Sequence, residues 1–186
     1  MSAATLLNIP NILTLLRIVL IPVLVALSYL SFDWRFWAAA AVFMVAAITD
    51  WFDGYLARTL NQTSAFGRFL DPVADKLMVA AALVILVQWH SENPFMVISA
   101  IIIISREITI SALREWMAEI GKRASVAVSY IGKLKTGMQM TAITVLLVHE
   151  PFFDLLGFPL LLVAAMLTLW SMLIYLKAAW PDLRDS

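Results

Sequence analysis

Residues 50–75 read DWFDGYLARTLNQTSAFGRFLDPVAD, and the fold and the chemistry both turn on this stretch. It closes one strongly apolar run and opens the next. Asp50 and Asp53 stand three apart, so a helix puts both carboxylates on one face. Asp71 and Asp75 stand four apart, which does the same on the helix that follows. A tight connection around Gly67 is expected to bring the two faces together, with the four carboxylates converging near one end of a bundle.

The rest of the chain is a solvent problem. Of 186 residues, 62% are hydrophobic, and the mean hydropathy is +0.89. A soluble domain needs more polar surface than this, so the medium is largely lipid. Each span takes about 20 apolar residues, and six segments answer to that need. They run from Pro10 to Leu30, Arg35 to Leu60, Asp71 to His90, Pro94 to Ile120, Gly132 to His149 and Leu155 to Trp180. The expected fold is all-α, a polytopic bundle of six transmembrane helices forming one domain over residues 1–186, with the first run retained as a helix. No Cys is present, which excludes disulfides and thiolate metal sites. Arg58, Arg68, Lys76, Lys122, Arg123, Lys133, Lys135, Lys177 and Arg184 fall on one side of this topology. The opposite side carries only Arg35, beside Asp33, Glu92, Glu150 and Asp154. The positive-inside rule then puts both termini and the aspartates on the cytoplasmic side.

Carboxylates at that position need a purpose. An unpaired Asp at mid-membrane costs about 3 kcal/mol even on lenient scales, and neighbouring ones repel. Near the headgroups water relieves part of this cost, and Asp71 before Pro72 also reads as an ordinary helix start. The whole constellation is better explained by divalent cations. Oxygen ligands without Cys or a nearby His favour a hard ion, Mg²⁺ or Mn²⁺. Gly54 and Ala57 lie one turn apart beside the first pair, where either a ligand or another helix comes close.

Asp50-x-x-Asp53-Gly54-x-x-Ala57-Arg58, eight residues, then Gly67-x-x-x-Asp71-x-x-x-Asp75 resembles the full signature of the CDP-alcohol phosphotransferase family. The resemblance implies two metal ions held by Asp50, Asp53, Asp71 and Asp75, with Asp75 also the general base. It implies contacts from Gly54, Ala57, Arg58 and Gly67 to the CDP-linked lipid. Asn11 and Thr14 either line the nucleotide site as well or cap the first helix.

The acceptor is read from the later helices. Arg106 lies little over three turns into its segment, too shallow to have crossed the core, so it should face a polar cavity. With Arg114, Lys133 and Lys135 it makes a basic pocket for a phosphorylated alcohol. The alternative leaves those three snorkelling to the interface and Arg106 paired with Glu107 or Glu115. The runs Asn8 to Thr14, Ser105 to Glu119 and Gly132 to Met140 resemble the bacterial branch of the family that accepts glycerol phosphate. The expected partners are CDP-diacylglycerol, sn-glycerol 3-phosphate and membrane lipids, with no nucleic acid. Rival readings are another acceptor (inositol phosphate, serine, phosphatidylglycerol) or a cation-coupled transporter with broken helices. Oligomeric state stays open, a homodimer included. His90 and His149 fall at the end remote from the aspartates, and neither is expected to be a ligand.

Overall fold

The structure is a computed structural model that describes residues 9–59, 64–121 and 130–184; side chains at 9, 51, 53–58, 65, 68, 130–133 and 181–184 lie outside that description. Its described residues form six helices: α1 (Ile9–Tyr29), α2 (Arg35–Thr59), α3 (Ala65–Trp89), α4 (Pro94–Glu119), α5 (Tyr130–Leu147) and α6 (Pro151–Arg184). Three of them, α1, α4 and α6, are long and apolar enough to cross a membrane. This is an all-helical membrane protein.

Local chemistry sets the helix starts. Ser64 caps α3, its hydroxyl accepting from the Gly67 amide at 2.8 Å. Asn93 caps α4 through the Phe95 amide at 3.0 Å, with Pro94 in the first turn where no amide proton is needed. These caps correct the sequence reading of the third segment. Asp71 and Pro72 lie inside α3, not at its start, and Gly67 sits in its first turn rather than in the connection. Residue Asp154, read as loop, belongs to the first turn of α6.

α1 packs against both α2 and α3, α5 pairs with α6, and α4 lies on α6. Contacts of α2 and α3 with α5, and of α3 with α4, join these groups. Small residues permit the close approach: Ala39, Ala46, Ala74, Ala82, Ala142 and Ala165 are all buried. Phe43, Leu83, Leu86, Met96, Ile103 and Ile143 fill the space between them. The exterior is apolar as well, with Val19, Val84, Ile101, Leu155 and Leu173 exposed, which suits a lipid solvent. No helix is broken among the described residues, contrary to what the transporter reading requires.

The alternating helix directions sort the polar residues into two sets. The start of α1, the end of α2, the start of α3, the second half of α4, the start of α5 and the end of α6 meet at one end. The opposite end gathers the start of α2 with the turns after α3 and α5.

The α5–α6 contact is the tightest test of this packing. A Cβ at Gly157 would lie 2.6 Å from Cγ of Leu146, which is itself fully buried. Gly157→Ala should therefore destabilise the fold by about 1–3 kcal/mol. Thermal denaturation in detergent checks this, and the expected result is a clearly lowered midpoint.

Candidate active site

Arg17 organises the polar end. It stands mid-way along an apolar run, is 1% exposed, and must find partners among the neighbouring helices. Packing of α1 against α2 and α3 supplies them. Its Nη1 donates to Asp50 Oδ1 at 2.7 Å and to Asp75 Oδ1, and its Nη2 lies 3.6 Å from Asp71 Oδ1. Carboxylates from two helices thus converge on one point, as the i, i+4 spacing of Asp71 and Asp75 requires. Arg17 was missed in the sequence; a lone cation within the first apolar run was the signal that could have revealed it.

Thr14 and Asn11, one and two turns before Arg17, hold the same face. Thr14 Oγ1 lies 2.5 Å from Asp71 Oδ1 and 3.1 Å from the Pro10 carbonyl. Asn11 is buried, and its Oδ1 accepts from Ser64 Oγ at 3.0 Å. Neither caps a helix; both join α1 to the start of α3. Gly67 has its reason here, because a Cβ on it would come within 2.6 Å of Asn11 Oδ1. Asp53, Gly54, Ala57 and Arg58 ride the last turns of α2, and Lys133 the first turn of α5, but their side chains lie outside the described residues.

A cavity of about 490 Å³ opens beside this cluster. Arg17, Asp50, Asp75 and Lys76 line one side, and Arg106, Glu107, Arg114 and Lys135 belong to the same lining from α4 and α5. Arg106 and Lys135 are both buried, and Glu107 lies between them, accepting from Arg106 Nη1 at 2.6 Å and from Lys135 Nζ at 3.1 Å. Arg106 thus lines the cavity and pairs with Glu107 as well. Lys135 does not snorkel. Arg114 is exposed and stands 5.7 Å from the ring of Tyr175, which Arg106 also approaches from 6.0 Å. Tyr175, Ser171, Glu107 and Lys76 are site residues that sequence reasoning did not assign, since on α6 they look like any mid-helix polar residue and on the others like charge partners.

The electrostatics divide the cavity. Asp50, Asp71 and Asp75, 43–46% exposed, share the guanidinium of Arg17, and among the described ion pairs three carboxylates meet one cation, a deficit of positive charge. An oxygen-only set with that deficit fits a divalent, hard cation. Across the cavity two buried cations share one carboxylate, and the surplus positive charge suits a phosphate.

The model of the CDP-alcohol phosphatidyltransferase family matches residues 7–173. The chain belongs to that family. Among curated relatives, the CDP-diacylglycerol–glycerol-3-phosphate 3-phosphatidyltransferase of Pseudomonas fluorescens is 55% identical over 95% of this chain and 92% of its own length. The proteins of that name from Escherichia coli strain K12 and Shigella flexneri serotype 5b are each 55% identical over 96% of this chain and 98% of theirs. As a member of the CDP-alcohol phosphatidyltransferases, the protein is a CDP-diacylglycerol-dependent phosphatidyltransferase.

Arg17 carries a prediction of its own. In Arg17→Gln the half-exposed carboxylates lose their only described cation, at a cost of about 2 kcal/mol. Its melting temperature in chelator should fall below that of the native protein. Added Mg²⁺ should raise it more than it raises the native one, since the ion then carries all the neutralisation.

Proposed function

We propose that the protein transfers a phosphatidyl group from CDP-diacylglycerol to sn-glycerol 3-phosphate, forming phosphatidylglycerophosphate and releasing CMP. One observation carries the reading: a single cavity joins the acidic cluster around Asp75 to the buried basic pair Arg106 and Lys135. Near-full-length identity to relatives named for this reaction supports it.

In this reading the acidic side takes the nucleotide-activated lipid and the basic side takes the acceptor's phosphate. Arg106, Arg114, Lys133 and Lys135 hold that phosphate, with Glu107 keeping Arg106 and Lys135 aligned. The primary hydroxyl of the acceptor then points toward Asp75. Asp75 takes the hydroxyl proton as the oxygen attacks the phosphorus carrying the diacylglycerol. The new P–O bond forms as the bond to CMP breaks, and the electron pair leaves with CMP. Divalent ions, two of Mg²⁺ or Mn²⁺ held by Asp50, Asp53, Asp71 and Asp75, would supply positive charge to the diphosphate. Asn11, Thr14, Gly54, Ala57, Arg58 and Gly67 form the CDP-lipid side, where the guanidinium of Arg58 suits a phosphate. We place the aspartate end and both termini on the cytoplasmic side of a bacterial inner membrane, all six helices spanning it as one domain. The even helix count and the basic residues at that end support this topology.

Radiolabelled CDP-diacylglycerol with purified protein tests the proposal. Glycerol 3-phosphate should release CMP far faster than inositol phosphate, serine or phosphatidylglycerol; equal rates would refute the acceptor assignment. Asp75→Asn should retain less than a tenth of the rate while inserting and folding normally. Arg106→Ala should mainly raise the apparent KM for glycerol 3-phosphate, because it removes binding common to ground and transition states.

A further inference from the structure

The end of the bundle remote from the aspartates holds a second cluster that the reaction does not use. His90 caps the C-terminus of α3, His149 lies in the turn between α5 and α6, and Asp154 sits in the first turn of α6. One ligand atom from each lies within 4.8 Å of the others. Neither histidine is expected as a ligand from its place in the chain, since residues so far apart meet only through the fold.

We propose that His90, His149 and Asp154 form a metal site for a late transition dication, Zn²⁺ above all, which clips the ends of α3, α5 and α6 together.

Three observations point the same way. The spacing fits first. His149 Nδ1 stands 3.3 Å from His90 Nε2, which stands 3.7 Å from Asp154 Oδ1. Zinc bonds of about 2.0–2.1 Å in a tetrahedron set donors roughly 3.4 Å apart, which these two separations approach, and the third pair, within 4.8 Å, closes by a side-chain shift of at most about 1.4 Å. Second, Asp154 Oδ1 is sealed from solvent and makes no hydrogen bond among the described residues. A buried, unsatisfied carboxylate oxygen facing an imidazole is costly unless a cation joins it.

Third, the rings are held in place. Phe36 and Trp89 pack on His149 at 4.7 and 5.6 Å between centroids, and Phe158 packs on His90 at 5.1 Å. His149 also takes a left-handed backbone, φ 54°, stabilised by its amide donating to the Leu146 carbonyl at 3.1 Å. Such strain in a non-glycine residue persists where the surroundings impose it.

Ligand chemistry separates this site from the aspartate end. Two imidazoles and one carboxylate select late transition metals, whereas the oxygen-only cluster favours Mg²⁺ or Mn²⁺. An open cleft lined by Trp89, His90, Glu92 and Asn93 gives the ion and a water ligand their way in. The acidic residues Asp33, Glu92 and Glu150 on the same side raise the local concentration of cations.

The test uses full-length protein in detergent, stripped of metal and titrated with Zn²⁺ while millimolar Mg²⁺ occupies the aspartate end. Equilibrium dialysis should find one Zn²⁺ per chain at micromolar dissociation constant or tighter, together with a raised melting temperature. Co²⁺ in place of Zn²⁺ should give visible absorption bands of a tetrahedral site. Asp154→Asn and His149→Gln should each weaken Zn²⁺ binding at least tenfold and lose the Co²⁺ bands. Their transferase rate in Mg²⁺ alone should match the native rate. The conservative Asp154→Asn keeps the test valid if His149→Gln folds poorly. Absence of saturable Zn²⁺ binding in the native protein, or undiminished binding in Asp154→Asn, would overturn the proposal.

Discussion

A buried guanidinium in an apolar helix is the constraint from which the rest of the polar end follows. Arg17 cannot remain unpaired in lipid or in a packed core, so α1 must sit where carboxylates reach it. That requirement draws the end of α2 and the start of α3 onto α1, and with them Asp50, Asp71 and Asp75. The ion pairs also orient the carboxylate oxygens toward a common point. Among the described residues one cation meets three anions there, so the same contacts that assemble the helices prepare a place for a dication.

The cavity beside this cluster works by opposition of charge. Glu107 is the hinge of that arrangement, because without it Arg106 and Lys135 would be two buried like charges side by side. With it, one carboxylate is set against two cations, and surplus positive charge is left for an incoming phosphate. In the proposed reading the anionic acceptor and the anionic donor bind against different walls. Tyr175 on α6 completes the basic wall by stacking under Arg106 and Arg114.

Much of this was legible in the residues. Six apolar runs became six helices, and the four-residue spacing of Asp71 and Asp75 turned that pair toward Arg17 together. Arg106 was legible for the same reason, since a charge so placed in an apolar run needs a polar cavity. The start of α3 was not, because Asp71-Pro72 imitates a helix start while the true cap, Ser64, depends on a contact with Asn11 on α1. Arg17 was overlooked although its signal was of the same kind as that of Arg106. The pairing of His90 with His149 lay beyond any local pattern, because it depends on α3 and α5 ending at the same level.

The central claim is that oxygens from α2 and α3 jointly hold divalent cations where the diphosphate reacts. Anomalous diffraction from crystals grown with Mn²⁺ and CDP tests it most directly. The account predicts manganese peaks ligated by Asp50, Asp71 and Asp75 and touching the diphosphate, with Arg17 still in contact with the cluster. Carboxylates hydrated separately, with no manganese among them in the presence of the nucleotide, would contradict it.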